Sequence, residues 1–185
     1  MQLSGFEGRV ALVTGAAGGI GAALVQLLAD AGCTVVATDY QRPAVQDARV
    51  RAFALDVTDS AAVDALVEQV EAGVGPIALA ASVAGVLHVG EVATTGDEDW
   101  RRVFAVNADG VFHVGRALAR VMSPRRQGAI VTVSSNAAGV PRHGMAAYAA
   151  SKAAATMFSR CLGLELAPLG IRCNIVAPGS TLTPM

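Results

Sequence analysis

The sequence predicts an α/β fold in which an open parallel sheet is wound on both faces by helices. Two observations carry that prediction. Short β-rich apolar runs alternate in order with longer helical segments along the 185 residues, the pattern of successive right-handed βαβ crossovers. The runs themselves (VALVT, TVVAT, AIVTVS) are continuously apolar, as strands covered on both faces are. No repeat, low-complexity tract or linker interrupts them, so residues 1–185 read as one domain.

The elements follow in order. Strands are expected at Arg9–Thr14, Thr34–Thr38, Val50–Leu55, Ile77–Ser82, Ala129–Ser134 and Arg172–Ala177. The helix Ile20–Ala31 should carry Leu24, Leu27 and Leu28 on one face, and Ser60–Glu71 should start from a cap at Asp59 or Ser60. Two longer helices are expected at Asp97–Val121 and Tyr148–Leu166. Arg116, Arg120, Arg125 and Arg126 read as a solvated helix face.

Composition narrows the function classes. The chain is 53% hydrophobic with a formal net charge of −1, which argues against a polyanion such as nucleic acid as partner. Its apolar runs are too short or too rich in Gly and Ala to span a bilayer. MQLSGFEGRV has no basic region leading into an apolar core, so no secretory signal is expected. Cys33, Cys161 and Cys173 are odd in number and form no Cys-x-x-Cys pair. They read as reduced thiols of a cytoplasmic protein, and no metal site is expected.

Chemistry enters at the first turn. TGAAGGIG, Thr14–Gly21, follows the first strand directly. Gly15, Gly19 and Gly21 sit where a strand must turn sharply into a helix and where a pyrophosphate needs close backbone approach. The helix N-terminus supplies free N–H groups to phosphates. The second strand ends at Asp39, near the ~20-residue offset of a carboxylate that binds the adenosine ribose. That carboxylate favours NAD by repelling a 2′-phosphate, and Gly18 leaves the turn without a basic side chain. Arg42 is solvated or pairs with a nearby carboxylate. Asp56 either accepts from the adenine amino group or serves as a cap or turn residue.

Tyr148 and Lys152 lie four apart in AAYAASKAA and therefore share a helix face. A free phenol has a pKa near 10 and is a poor base at neutral pH, but a neighbouring ammonium stabilises its phenolate. Such a pair can accept a proton from an alcohol while hydride departs. Its bland alternative is a snorkelling lysine beside a half-buried tyrosine. Ser135 closes the strand AIVTVSS thirteen residues earlier, where doubly wound sheets place their sites. Of Ser134 and Ser135 only one should face the cleft. Asn107, an amide in an apolar helix, is either a satisfied structural group or holds a water that links the lysine to solvent.

Thr14–Gly21, Asp39, Asp56, Asn107, Ser135, Tyr148-x-x-x-Lys152 and Pro178–Gly179 together resemble the short-chain dehydrogenase/reductase family. The resemblance implies a Rossmann-type sheet and an NAD-dependent oxidoreductase acting on a small-molecule substrate. Tyr148 would be the general acid/base, Lys152 its activator and a ribose ligand, Ser135 the orienter of the substrate oxygen, and Asn107 the end of a proton relay. It adds Ile20, Val57, Gly85 and Thr181 to the cofactor-binding set. The stretches FAVNADGVFHV, PRHGMAAY and GLELAPLGIRCNIVAPGSTLTPM narrow it to dehydrogenases of a cyclic dihydrodiol carboxylate, which make the catechol acid of siderophores. Arg142 then grips the carboxylate, or is a surface loop arginine; Met145 forms an apolar wall, and His143 faces solvent. A different alcohol, such as a 3-oxoacyl or sugar substrate, or a nucleotide-binding protein without turnover, are the competing readings.

Two departures from the family accompany the match. Ser82-Val83-Ala84-Gly85 replaces the usual Asn-rich segment, with Ala78 where Asp is common. The family also continues past Met185 with a substrate lid and a seventh strand, so the sequence is expected to be C-terminally incomplete, with its sixth strand an exposed edge. A homo-oligomer, dimer or tetramer, is expected through the two longer helices.

Overall fold

The computed structural model describes residues 4–179 and 181. Six parallel strands form one sheet: β1 (Val10–Thr14), β2 (Thr34–Asp39), β3 (Val50–Ala54), β4 (Ile77–Ser82), β5 (Ala129–Val133) and β6 (Arg172–Val176), in the order β3-β2-β1-β4-β5-β6. β1 pairs with both β2 and β4, Val13 standing opposite Ala37 and Ala81. The chain winds outward from β1 to β3, then crosses back to β4. A crevice therefore opens between the C-terminal ends of β1 and β4, where such sheets bind ligands.

The helices are α1 (Gly19–Asp30), α2 (Ser60–Gly73), α3 (Asp97–Phe104), α4 (Gly110–Met122) and α5 (Ala146–Leu166). Alternation along the strands builds two cores. Leu12, Val36, Ile77 and Ile130 pack with Val63, Val67, Leu118, Met122 and Leu162 from α2, α4 and α5. Ala11, Val13, Val35 and Ala37 pack with Val25 and Ala29 of α1. Both faces carry helices, as the sequence predicts, but unequally. Where α1 does not reach, Val131 and Val133 are partly exposed, and Arg172, Asn174 and Val176 of β6 are exposed on that face.

Three local expectations need correction, and one open choice is resolved. The buried face of α1 is Gly21, Val25 and Ala29, with Leu24 and Leu28 at its margin; Leu27 is 55% exposed. A glycine and small residues win that face because α1 lies close to the backbone of the first turn. Asp59 caps α2, its carboxylate accepting from Ala61 N and Ala62 N at 3.0 Å each. The predicted helix Asp97–Val121 is interrupted by a π-helical turn, Ala105–Asp109, that carries Asn107.

The arginines do not form one solvated face: Arg120 and Arg126 are exposed as expected, but Arg116 and Arg125 are partly buried. Arg125 donates to both oxygens of Glu71, at 2.8 and 3.1 Å, and to the carbonyls of Val121 and Ile77. Arg120 reaches Asp64 at 3.0 Å, and Arg116 reaches Ser60. Arg126, the one non-glycine at positive φ among the described residues, donates to Pro168 O at 2.6 Å.

Candidate active site

A cleft of about 1040 Å³ opens at the C-terminal ends of β1, β4 and β5. One end is formed by the first turn. Gly15 (φ +69°) lies against the backbone of Val83 and Ala84, where a Cβ would collide, and Gly19 is also left-handed (φ +47°). A Cβ on Gly21 would overlap the Gly15 carbonyl. Gly18 caps α1 without a side-chain hydrogen bond, so the first N–H groups of α1 have no protein acceptor. Gly18, Gly19 and Ile20 line the cleft. This cradle of bare backbone at a helix N-terminus fits a pyrophosphate.

Asp39 stands at the end of β2, its carboxylate accepting from Ala17 N (2.9 Å) and Tyr40 N (2.7 Å). Those bonds fix its orientation at the cleft. Asp56 also lines the cleft, and its Oδ1 accepts from Thr58 N and Thr58 Oγ1, at 2.9 and 2.7 Å. The turn role foreseen for Asp56 is therefore present, with Val57 beside it on the wall. Arg42 is exposed and does not line the cleft. The segment after β4 is tied to β1 by Thr14, whose Oγ1 accepts from Val83 N at 3.2 Å and Ala84 N at 3.3 Å.

At the other end, α5 brings Tyr148 and Lys152 to the wall, both buried. Lys152 Nζ sits 5.9 Å from the centre of the Tyr148 ring and donates to Val133 O at 3.0 Å. Burial lowers the lysine pKa from its ordinary value to about 8. Ser135 and Ser134 both border the cleft, and it is their hydroxyls that divide as strand alternation requires. Ser135 Oγ stays at the cleft, accepting from Ala137 N at 3.1 Å, while Ser134 Oγ turns inward to Thr156. A Cβ on Gly85 would lie 3.0 Å from Lys152 Nζ and 3.2 Å from Asn107 Oδ1, so only glycine keeps this corner open.

Asn107 is fully buried and its amide is satisfied. Nδ2 donates to Val86 O (2.9 Å) and Ser151 Oγ (3.0 Å), and Oδ1 accepts from Val86 N (2.8 Å). Both N–H groups are committed, which supports the structural alternative for this side chain. Through Ser151, which donates to Tyr148 O at 2.8 Å, the amide also braces α5.

The loop before α5 completes the cleft. Arg142 and Met145 line it across a turn at Gly144 (φ +70°), and Gly90 N donates to Gly144 O at 2.8 Å. His143 points to solvent, 90% exposed. Pro178, Gly179 and Thr181 border the opposite side, with Pro178 O accepting from Asn136 N at 3.1 Å. Among the lining residues that the sequence did not single out, Tyr40 and Arg102 carry polar groups at the cleft rim. Tyr40 is exposed beside Asp39, its signal being only an aromatic after the carboxylate. Arg102, paired with Asp99 at 3.2 Å, hides in the charged run DEDWRR.

The family model described as short chain dehydrogenase matches residues 9–185. The chain is 49% identical to a 2,3-dihydro-2,3-dihydroxybenzoate dehydrogenase of Bacillus subtilis, over 100% of this chain and 74% of that protein. It is 36% identical to a 3-oxoacyl-acyl-carrier-protein reductase of Escherichia coli, over 97% of this chain and 76% of the relative. Among solved structures, a short-chain dehydrogenase from Streptomyces avermitilis superposes with a TM-score of 0.91 at 34% identity, covering 97% of this chain and 68% of that one. Sheet order, glycine cradle and cleft thus agree with both sequence and structural likeness, and the chain belongs to the short-chain dehydrogenase family.

Proposed function

We propose that the protein is an NAD-dependent dehydrogenase of a cyclic dihydrodiol carboxylate, converting 2,3-dihydro-2,3-dihydroxybenzoate to 2,3-dihydroxybenzoate for siderophore assembly. The observation that carries this reading is that Arg142 and Met145 line the same cleft as Ser135, Tyr148 and Lys152. A planar guanidinium binds a carboxylate by two hydrogen bonds, and a thioether adapts to a ring face. The 49% identity to a dehydrogenase named for this substrate supports it.

NAD supplies a hydride acceptor when bound. Gly15, Gly19, Ile20 and Gly21 would hold its pyrophosphate, Asp39 the adenosine ribose diol, and Asp56 and Val57 the adenine. Lys152 would hold the nicotinamide ribose, with Gly85, Pro178, Gly179 and Thr181 around the ring. Ser135 orients the substrate hydroxyl by a hydrogen bond. Tyr148, as phenolate stabilised by the Lys152 ammonium, takes the hydroxyl proton as the carbon loses its hydride. The ring ketone so formed tautomerises to the aromatic catechol, which draws the oxidation forward. Tyr148 then releases that proton to solvent, and the Lys152 ammonium, which stabilises the phenolate, favours its return for the next turnover.

The decisive experiment follows NADH formation with the dihydrodiol carboxylate, its neutral analogue and NADP⁺. The reading expects turnover of the carboxylate with NAD⁺ and weak turnover otherwise. Turnover of neutral alcohols alone, or strict NADP dependence, would replace it with the reductase reading that the 36% relative favours. Arg142→Ala should raise KM for the carboxylate far more than for the neutral analogue. Equal effects would assign Arg142 to loop structure.

We also place the protein in the cytoplasm as a homo-oligomer. Its cysteines are free, and among the described residues no helix is long and apolar enough to cross a membrane.

A further inference from the structure

We infer that Ser134 and Thr156 form a two-hydroxyl clamp that fixes the end of β5 against the turn of α5 carrying Lys152. Both are thereby positioning residues for proton transfer. The inference rests on the dehydrogenase reading above, though not on its choice of substrate.

Ser134 Oγ lies 2.6 Å from Thr156 Oγ1, and Thr156 Oγ1 lies 2.7 Å from the Lys152 carbonyl. Ser134 is 3.4 Å from that same carbonyl. Each hydroxyl carries one proton. Thr156 gives its proton to the nearer carbonyl, so Ser134 donates to Thr156, and one directed chain runs from Ser134 through Thr156 to Lys152 O.

The side chain of Lys152 meanwhile returns to the same strand, Nζ donating to Val133 O at 3.0 Å. Lys152 is therefore tied to β5 at both ends, through its carbonyl at Ser134 and through its ammonium at Val133. Ser135 follows Ser134 directly in the segment that leaves β5. These two ties set the position of the cleft hydroxyl relative to the Tyr148–Lys152 face, which no direct protein bond to Ser135 from α5 does. A second hydroxyl pair, Ser159 Oγ donating to Thr132 Oγ1 at 2.8 Å, joins the same strand and helix deeper in the core. It offers an internal control, alike in chemistry but remote from Lys152.

Lys152 is the single lysine of the sequence. In untagged protein labelled with ε-¹³C-lysine, the side-chain signal that Lys152→Met removes belongs to this amine, and its pH titration needs no substrate. Thr156→Val and Ser134→Ala are each expected to lower kcat about threefold to tenfold, the cost of one hydrogen bond. KM for NAD should stay within about twofold in both variants. Both should move the Lys152 midpoint upward by roughly half a unit or more, as a loosened amine regains water. Thr156→Ser, which keeps the hydroxyl, should restore both readouts. The double variant should cost no more than one single variant. Ser159→Ala should change stability and leave the midpoint alone.

The proposal fails if Thr156→Val or Ser134→Ala keeps the wild-type kcat and midpoint. It fails equally if the two losses add in full or if Ser159→Ala shifts the midpoint as far. If the wild-type protein oxidises no alcohol, the dehydrogenase reading fails by itself, and the lysine titration still decides the clamp.

Discussion

Tyr148 and Lys152 are large polar groups inside a wall of small residues, and each yields a measurable consequence. Tyr148→Phe removes the proposed acid/base hydroxyl and little volume. It should reduce turnover by roughly 10²–10⁴-fold, the range for losing a general acid/base, while the nucleotide Kd by fluorescence titration stays unchanged. Near wild-type turnover would remove the mechanism. Lys152 gives a signature in stability. At neutral pH it is charged in both folded and unfolded chains. The unfolded amine holds its proton to near 10.5 and the buried one releases it from about 8. Between those values the unfolded state binds more protons, so this group adds stability to the nucleotide-free protein as pH rises. Cys33 and Cys173, whose thiols burial pushes up from 9.0, act oppositely above that pH. The difference between wild type and Lys152→Met isolates the lysine. In urea unfolding that difference should grow by about 1 kcal/mol between roughly pH 7.5 and 9. A flat difference would show an amine that titrates as if in water.

At the scale of elements, the network at the start of β4 separates legible from illegible features. Arg125 and Glu71 are both largely buried, and Glu71 also accepts from Ile77 N at 2.8 Å, so one ion pair joins the ends of α2 and α4 to β4. Arg125→Gln should destabilise by about 1.5–3 kcal/mol, the range for hydrogen bonds to charged groups. Arg101→Gln, which breaks an exposed pair with Asp97, should cost under about 0.5 kcal/mol. Urea unfolding of the two variants compares them, and equal costs would mean that the Arg125 network is as solvated as the surface pair. In the sequence Arg101 sits within a helical charged run and Arg125 in the turn SPRRQG, and neither setting announces a buried carboxylate partner 54 residues away. The sequence places every strand to within one residue at each end. Continuous apolar runs place β1, β2, β4 and β5; β3 and β6, which Arg51, Arg172 and Asn174 interrupt, follow from their place in the alternation of strand and helix. The glycine turn, Asp39 and the Tyr148-x-x-x-Lys152 pair were legible for a related reason: each requirement is local in sequence. The exposure of Leu27 and the choice between the two readings of Asn107 were not, since they depend on what a distant segment packs against them. The Ser134–Thr156 pair joins residues 22 apart, and no periodicity announces such a bond.

For the whole molecule, the outer faces of α4 and α5 bear directly on assembly. Met157, Cys161 and Leu164 recur at helical spacing on α5 and are exposed, Met157 at 56% and Leu164 at 78%. Phe112 on α4 is also exposed, edge-on to Phe158 of α5 and under the Arg116 guanidinium. The two helices pack closely because Gly115 faces Phe158; a Cβ there would come within 2.9 Å of the ring. Together they present a stiff surface with large apolar side chains, the kind of patch that marks an association site. A second copy of the chain is the proposed partner, since a two-fold interface needs one self-complementary surface. Met157→Arg places a charge in the middle of that surface without touching the core or the cleft. Sedimentation velocity at micromolar protein should show the wild type as a dimer or larger and Met157→Arg shifted toward monomer. The Cys161 thiol, covered in the oligomer, should react faster with a maleimide in the variant. A wild type that sediments as a monomer, or a variant that assembles as well as the wild type, would move the interface off these helices.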